Sequence, residues 1–379
     1  LLQFAVALLL LKFPPVAKAF LLLNDGVEAL QKATDAGTGF VFGYLGGGPL
    51  PFAETHPGAS FIFAFRALPL VLVISALATV LFYWGVLQRI VQGLAWVLRH
   101  SVGVGGPLGL GAVVHIFVGF IEAPLLIRPY LLRLERGEMF ALMSTGMAGI
   151  AGTVMVIYAA ILGPVIPDAL GHILVAAVIS TPAALALAAL MVPFRPDPSA
   201  AADLQIDDPP VSTMDAIAKG TRDGIVFLLN IIAMLIVMIT LVTLVNAMLG
   251  LLPNLAGEPM TLQRLFAYAF RPVMWLIGIP GSEVGTAAQL MGTKTVLNEF
   301  VAYTDLAKVP ADQLGDHSRL VMTYAMCGFA NFGSLGILIG GMGAMVPERR
   351  AEIVALGLRS ILSGTMAGCM SGALVGMLV

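Results

Sequence analysis

Two acidic residues lie inside otherwise apolar, glycine-containing stretches of this 379-residue chain. Glu122 belongs to HIFVGFIEAPLL at 115–126, and Glu299 belongs to TKTVLNEFVAY at 293–303. A charged side chain near the bilayer centre costs about 2.5–3.5 kcal/mol on insertion scales, so such residues normally face a protein interior or a watery cavity. There they hold a substrate, an ion or a proton, which makes these two glutamates the first candidates for a functional site.

The composition places both glutamates in a membrane protein. Hydrophobic residues make up 59% of the chain and charged residues 11%, against roughly 25% charged residues in an average soluble domain. Several apolar runs reach or approach the ~20 residues that span a bilayer as a helix. These runs lie at 61–88, 139–165, 169–193, 225–252, 318–346 and 353–379. The sequence therefore predicts an all-α, multi-pass integral membrane protein.

Charge and cysteine content argue against other classes of function. A net charge of −2 provides no electrostatic footprint for nucleic acid. Cys327 and Cys369 both lie in apolar runs, so we expect them to pack in the interior rather than form a disulfide framework or a metal site. No cofactor is indicated. Residues 1–20 are interpreted as the end of a transmembrane helix that starts before Leu1.

The elements around the two glutamates occur in the same order in both halves of the chain. Glu122 is followed by the small-residue sequence GMAGIAG at 146–152, and Glu299 is followed by GFANFGS at 328–334. A polar stretch at 194–223 separates the halves and is predicted to be an exposed loop. Repeats with interrupted helices in corresponding positions are the best sequence indication of a secondary transporter.

Other segments are too weakly apolar or too amphipathic to be simple spans. The acid-bearing segments at 103–130 and 280–306 are rich in Gly and Pro, which favours re-entrant hairpins over complete crossings. Residues 85–101 carry apolar side chains at helical spacing and predict a helix at the membrane interface. Residues 24–60 form a second polar break, and Lys294 is expected to snorkel or to pair with a carboxylate.

Several strings resemble those of concentrative nucleoside transporters. They are FVFG at 40–43, FIFAFRALP at 61–69, EAPLLIRPY at 122–130, GTKTVLNEFVAY at 292–303, CGFAN at 327–331, GGMG at 340–343 and PERR at 347–350. The resemblance implies a bacterial inner-membrane symporter that assembles as a homotrimer. It also implies an inverted-repeat fold with two re-entrant hairpins and broken helices, in which a transport domain moves against a scaffold like an elevator.

The resemblance implies the following division of the chain. Scaffold helices occupy 1–84, an interfacial helix 85–101, the first transport-domain repeat 102–193, a loop 194–223, a scaffold helix 224–260 and the second transport-domain repeat 261–379. Its substrate site implies roles here for Glu122, Glu299, Asn331, Ser334, Phe329, Phe120, Ile121 and Val154. The vicinal hydroxyls of ribose donate hydrogen bonds that a carboxylate accepts. The amide of Asn331 and the hydroxyl of Ser334, three residues apart, reach the same ligand.

The first hairpin departs from the family pattern where the base is read. Relatives usually have Gln and Thr before the glutamate, whereas this chain has Phe120 and Ile121. Neither side chain forms hydrogen bonds, and an unpaired buried polar edge costs about 1–3 kcal/mol. Phe120 either stacks on a flat group or turns away to pack on a neighbouring helix. The substrate is thus a nucleoside, a modified nucleoside or another ribosyl compound.

A second departure concerns the coupling ion. Sodium-coupled relatives use Asn and Ser side chains where this chain has His115 and Gly149. Both side-chain oxygens are lost, and an imidazole that titrates near neutral pH replaces one of them. We therefore predict proton coupling, with His115, Glu122 or Glu299 as the carrier, and keep sodium coupling as the alternative.

Three further alternatives remain at this point. Asp316, His317 and Ser318 are adjacent and raise the possibility of an enzyme, but no GxSxG or HExxH motif accompanies them. Broken helices and re-entrant segments also build channels. The third alternative is a transporter of the same fold whose substrate is not a nucleoside.

Overall fold

The computed structural model describes residues 1–54, 60–117, 119–195, 209–254, 257 and 259–379, and all regular structure within them is helical. The first half contains α1 (Leu2–Lys12), α2 (Pro14–Phe42), α3 (Phe63–Arg66), α4 (Leu70–Tyr83), α5 (Val86–Val102), α6 (Gly106–Val114), α7 (Glu122–Leu126), α8 (Arg128–Leu131), α9 (Arg136–Ala148), α10 (Gly152–Leu162) and α11 (Ala169–Met191). The second contains α12 (Thr213–Leu249), α13 (Leu262–Leu276), α14 (Val284–Val296), α15 (Glu299–Lys308), α16 (Asp316–Met326), α17 (Phe332–Met345) and α18 (Arg350–Leu378). Short 3₁₀ turns occupy Gly43–Gly46 and Pro347–Arg349.

Four stretches of the described chain are helical, long and apolar enough to cross a membrane. They are Phe63–Tyr83, Ala169–Met191, Thr213–Leu249 and Pro347–Leu378. The predicted runs at 139–165 and 318–346 are each divided into two helices, α9 with α10 and α16 with α17. The structure thus contains the two interrupted helices that the glycine clusters predicted.

The order of elements repeats between the two halves. Each half has an amphipathic helix, then a helical hairpin, then a helix in two pieces, then a long apolar helix. In the first half, the amphipathic helix is α5, the hairpin is α6 to α8, the divided helix is α9 with α10, and the long helix is α11. In the second half, the corresponding elements are α13, α14 with α15, α16 with α17, and α18. The predicted interfacial segment 85–101 forms α5, which begins and ends next to left-handed glycines, Gly85 and Gly103.

The two helix breaks contact each other through their main chains. The amide nitrogen of Phe329 donates to the carbonyl oxygen of Gly149 at 3.2 Å. A Cβ added at Gly328 would lie 2.7 Å from the carbonyl oxygen of Ala148 and 2.8 Å from that of Met147. Glycine is therefore the residue that lets the second break approach the first.

A row of glycines on α18 brings this helix close to the first pieces of both broken helices. A Cβ at Gly364 would lie 2.7 Å from Cβ of Met147 on α9, and a Cβ at Gly372 would lie 2.8 Å from the carbonyl oxygen of Val321 on α16. Small residues permit such close helix packing in membranes. The main hydrophobic core lies here, among α6, α9, α11, α14, α16 and α18.

Helices α4 and α12 form a separate pair at the edge of this core. A Cβ at Gly220 would lie 2.7 Å from Cα of Ala76, and one at Gly224 would lie 3.1 Å from Cα of Leu72, so the two helices are in close contact. Only 6% of the most apolar window of α12 is buried, against 67% for α11. The remaining apolar face of α12 suits contact with lipid or with another subunit.

Each hairpin ends beside an arginine that donates to main-chain carbonyl groups. Arg349 Nη1 donates to the carbonyl oxygens of Leu131 at 2.8 Å and Leu134 at 2.7 Å, after the first hairpin. The guanidinium of Arg319 donates to three carbonyl groups after the second hairpin, those of Leu306, Val309 and Leu314. These contacts satisfy carbonyls that a helix end leaves without partners.

The N-terminal predictions require correction. The interpretation of 1–20 as one continuous helix was wrong, because Phe13 is extended between α1 and α2, as expected for a residue before proline. The polar stretch at 24–60 was expected to interrupt the helices, but its first part, as far as Phe42, belongs to helix α2. Polar composition alone does not end a helix, and prolines are absent between Pro15 and Phe42.

The connection between the halves is shorter than predicted. Residues 196–208 of the predicted loop at 194–223 lie outside the described residues, but α12 already begins at Thr213. The hydroxyl of Ser212 caps this helix by accepting from the amide nitrogen of Asp215 at 3.1 Å. The helix predicted at 224–260 therefore spans Thr213–Leu249, and its first turns are polar.

Candidate functional site

A cavity of about 360 Å³ lies where the hairpin tips meet the second pieces of the broken helices. Its volume falls in the range of small-molecule sites, roughly 300–1,000 Å³. The first tip contributes 119–122, the second contributes 297–300, and α10 and α17 form two further walls. Leu68 and four residues of α12 close the remaining side: Asn230, Ile231, Leu235 and Met238.

The structure brings the predicted substrate residues together. All eight line this cavity: Glu122, Glu299, Asn331, Ser334, Phe329, Phe120, Ile121 and Val154. They come from four elements that are distant in sequence, the two tips and the two broken helices. Their participation in binding stays a prediction, but their common location is a property of the fold.

Glu299 is held by one donor from each repeat. The hydroxyl of Tyr158 donates to Oε1 at 2.7 Å, and the side-chain amide of Asn331 donates to Oε2 at 3.0 Å. Glu299 is 4% exposed. Hydrogen bonds to both oxygens offset part of the cost of burying this carboxyl group. Each oxygen still has a lone pair for a further donor.

Helix capping explains the positions of two asparagines beside Glu299. Asn298 caps α15 by accepting from the amide nitrogen of Val301 at 2.9 Å, and Asn331 caps α17 by accepting from that of Ser334 at 2.7 Å. Both helices thus begin at the cavity. Glu299 lies in the first turn of α15, where the helix dipole favours negative charge.

Lys294 supports the second break from inside the protein. Its side chain is 1% exposed, and Nζ donates to the carbonyl oxygen of Ala330 at 2.9 Å. Lys294 does not snorkel, because its side chain is buried; its charge is attracted by the Glu299 carboxylate, although the two form no direct ion pair within the described chain. The interrupted helix exposes carbonyl groups that need donors, and the lysine supplies one of them.

Phe120 and Ile121 both pack against glycine-containing helices while lining the cavity. The ring of Phe120 lies beside that of Phe329, with centroids 4.8 Å apart and a tilt of 44°. A Cβ added at Gly341 would lie 2.8 Å from Cδ1 of Ile121. The tip of the first hairpin therefore has an apolar surface, with two aromatic rings side by side.

Glu122 differs from Glu299 in its surroundings. Its side chain is exposed to the cavity, whereas Glu299 is buried. Gly119 lies against the Glu122 carboxylate and has φ +127°, a conformation that favours glycine. The two carboxyl groups line the same cavity with different partners: Glu299 accepts from two side chains, and Glu122 accepts from main-chain amides of the hairpin tip.

His115 and Gly149 lie in direct contact but do not line the cavity. His115 is 2% exposed, and its Nδ1–H donates to the carbonyl oxygen of Ala112 at 2.8 Å, which leaves the lone pair on Nε2 in the neutral ring. Nε2 has no hydrogen-bond partner among the described residues. A side chain at Gly149 would overlap the imidazole at Nε2.

The adjacent Asp316, His317 and Ser318 do not form a catalytic arrangement. His317 Nε2 donates to the carbonyl oxygen of Gly376 at 3.0 Å, and Ser318 is 1% exposed at the start of α16. Within the described chain, none of the three lines the cavity. The enzyme alternative therefore has no support from their geometry.

Sequence reasoning missed three polar residues that line the cavity, Tyr158, Asn230 and Asn298. Tyr158 lies one helical turn after Val154, so its position on the same face of α10 was readable from spacing. Asn230 is a lone amide inside the apolar run 225–252, and polar residues in such runs normally face a cavity or another polar group.

Comparison with known proteins identifies relatives along the whole chain. A family model described as "Na+ dependent nucleoside transporter C-terminus" matches residues 172–376. One described as "Na+ dependent nucleoside transporter N-terminus" matches residues 1–45, and "Nucleoside recognition" matches 64–165. The three matches cover both repeats and the N-terminal helices.

Similar individual proteins include transporters from two bacteria. An "Uncharacterized transporter" of Haemophilus influenzae is 36% identical over all of this chain and 89% of its own length. "Nucleoside permease NupC" of Helicobacter pylori is 31% identical over 94% of this chain and 84% of its own length.

A solved structure of CNTnw in an inward-facing, substrate-bound state matches with a TM-score of 0.87 at 32% identity, over 99% of this chain and 89% of that chain. The match confirms the predicted fold class. The protein is an all-α, multi-pass membrane protein with inverted repeats, two re-entrant hairpins and broken helices, of the elevator type.

Proposed function

Because the chain belongs to the concentrative nucleoside transporter family, we propose that it imports nucleosides, or a closely related ribosyl compound, by proton-coupled secondary transport. The family consists of transporters and not enzymes. The substrate, the coupling ion and the assembly are argued below from the residues around the cavity.

The carboxylate of Glu299 is the observation that carries the proposal. It lies at the cavity, Tyr158 and Asn331 each donate a hydrogen bond to one of its oxygens, and each oxygen keeps a lone pair. Vicinal sugar hydroxyls provide two donors with the spacing of a carboxylate, and the Ser334 side chain lies on the adjacent wall. Ribose is therefore the part of the substrate that this arrangement suits best.

The rings of Phe120 and Phe329 favour a flat, weakly polar group next to the sugar. Offset or tilted aromatic contacts of this kind add about 0.5–1.5 kcal/mol beyond the burial of area. A nucleobase or a modified base satisfies this requirement. A ribosyl compound without a conventional base is the alternative, because the first tip offers apolar side chains at positions 120 and 121.

The contact between His115 and Gly149 supports proton coupling. Sodium prefers oxygen ligands, and these two residues supply no side-chain oxygen. Glu122, which lines the cavity, and His115, whose Nε2 has no partner among the described residues, are the two proton carriers that we propose on the first hairpin. Sodium coupling remains the second candidate, because the family models are described as Na+ dependent.

The assembly and the location complete the proposal. A homotrimer in a bacterial inner membrane gives the exposed apolar side chains of α4 and α12 a place against other subunits or lipid, including Leu77, Leu81, Ile236 and Leu244. Within each subunit, the proposed scaffold includes α4 and α12, and the proposed transport domain includes both hairpins and both broken helices.

The direct test is Glu299→Gln, measured by uridine binding to the purified protein and by uptake into proteoliposomes. A charged hydrogen bond is worth about 1.5–3 kcal/mol, so we expect affinity to fall at least tenfold and uptake to be abolished. Glu348→Gln, at an exposed position, serves as the matched control. Unchanged affinity in Glu299→Gln would remove this residue from the substrate site.

A further inference from the structure

Asn230 is a polar side chain on an apolar helix. It is exposed to the cavity from α12, beside Ile231, and its amide forms no hydrogen bond with any described residue. Asn246, four turns later on the same helix, is fully engaged, because it donates to Gln263 and accepts from the amide of Leu262. The helix thus contains one asparagine with a structural role and one without.

Most other polar side chains around the cavity are already committed to the protein. Tyr158 and Asn331 donate to Glu299, and the oxygens of Asn331 and Asn298 cap helices, which leaves Asn298 only its amide nitrogen. Glu122 and Ser334 are an acceptor and a hydroxyl. Among the described residues that line the cavity, Asn230 alone offers both an amide donor and an amide acceptor that are unused.

A nucleobase edge presents a donor next to an acceptor, which an asparagine amide matches with two parallel hydrogen bonds. The first hairpin tip cannot supply this pair, because its residues there are Phe120 and Ile121. Close contacts at Gly220 and Gly224 fix the preceding turns of α12 against α4. The complementary group therefore comes from the opposite wall of the cavity.

We propose that Asn230 determines substrate specificity by hydrogen-bonding the polar edge of the base from α12, in place of the first hairpin. This inference rests on the proposed nucleoside function. Ribose would be held by Glu299 and Ser334, the ring by Phe120 and Phe329, and the base edge by Asn230. Recognition of the base would then depend on a helix outside both hairpins.

The test compares two ligands in the wild type and in Asn230→Leu. Uridine has a polar base edge, whereas a phenyl C-riboside keeps the sugar and a flat ring without one. We expect Asn230→Leu to weaken uridine binding at least tenfold, because both amide hydrogen bonds to the base edge are lost, and to leave phenyl riboside binding unchanged. Thr240→Val, on the same helix but away from the cavity, is the control.

Equal loss of both ligands, or no change in either, would overturn the proposal, because neither result separates the base from the sugar. Asn230→Ala repeats the comparison without added bulk if the leucine variant fails to fold. The two proposals fail differently. If the wild type binds neither ligand, the nucleoside function itself is contradicted. If the wild type binds uridine and the Asn230 variant binds it equally well, only this inference is contradicted.

Discussion

At the scale of single residues, Glu299 joins the two repeats. Its oxygens accept from Tyr158 of the first repeat and from Asn331 of the second, so the carboxylate has a fixed orientation only when both repeats are in place. The tyrosine also packs against Tyr303, with ring centroids 5.1 Å apart. We infer that the main role of Tyr158 is to orient the Glu299 carboxylate, and that Glu299, not Tyr158, binds the sugar.

Tyr158→Phe tests this role, because it removes one donor and preserves the ring. We expect uridine affinity to fall about fivefold to tenfold, in line with about 1–1.5 kcal/mol for one hydrogen bond, while folding is retained. Isothermal titration measures the affinity, with Tyr268→Phe, at an exposed position, as the control. The same affinity in Tyr158→Phe and in the control would show that Glu299 does not need this donor.

For the residues named by family motifs, the sequence predicted a shared location, while their role in binding stays a prediction. Glu122, Glu299, Asn331 and Ser334 share a cavity because hairpin tips and helix breaks have recognisable sequences. The partners of those residues were harder to predict. Tyr158 carries no motif, and an isolated asparagine such as Asn230 has the same appearance in sequence whether it is structural or free.

At the scale of elements, the two helix breaks form one unit. Their main chains are joined by the hydrogen bond from Phe329 to Gly149, and Lys294 holds the second break through Ala330. Interrupted helices in a membrane protein are tolerated where other groups satisfy the freed main-chain atoms. The breaks satisfy each other in part, which keeps the cavity walls together.

Gly328→Ala tests this contact. Its added Cβ would meet the carbonyl oxygens of Ala148 and Met147 at 2.7 and 2.8 Å, so the breaks must separate and we expect a loss of both thermal stability and uptake. Gly336→Ala on α17 is the matched control, since a Cβ there meets nothing within 4 Å and alanine favours a helix. Differential scanning fluorimetry and uptake are compared. Equal behaviour of the two variants would mean that the breaks do not depend on close approach.

Element boundaries were predictable where glycine, proline or a capping residue marks them. The breaks at Gly149 and Gly328 and the helix α5 between two glycines are of this kind. The polar first turns of α12 and the polar part of α2 were misread because helix formation tolerates polar residues. Apolar runs identify membrane spans, and they do not identify where a helix begins.

At the scale of the whole molecule, a well-packed body adjoins the exposed pair α4 and α12. The cavity lies between them, with hairpins and breaks on one side and Asn230 and its neighbours on the other. In an elevator mechanism the first group moves along the second. Such movement would carry the substrate with the hairpins, so we expect it to contact α12 during only part of the cycle.

The contact between His115 and Gly149 supports the proposed proton coupling at this scale. Restoring sodium ligands requires two changes together, because a serine at 149 overlaps the imidazole at Nε2. We expect Gly149→Ser alone to impair uptake, and His115→Asn with Gly149→Ser to recover uptake and to make it respond to sodium. His115→Asn alone is the control for loss of the imidazole.

Uridine uptake into proteoliposomes, under an imposed proton gradient or an imposed sodium gradient, tests the account most directly. We expect the wild type to accumulate uridine against its gradient when the interior is alkaline, with no response to sodium. Sodium-driven accumulation that ignores the pH difference would contradict proton coupling, and the absence of accumulation under either gradient would contradict nucleoside transport itself.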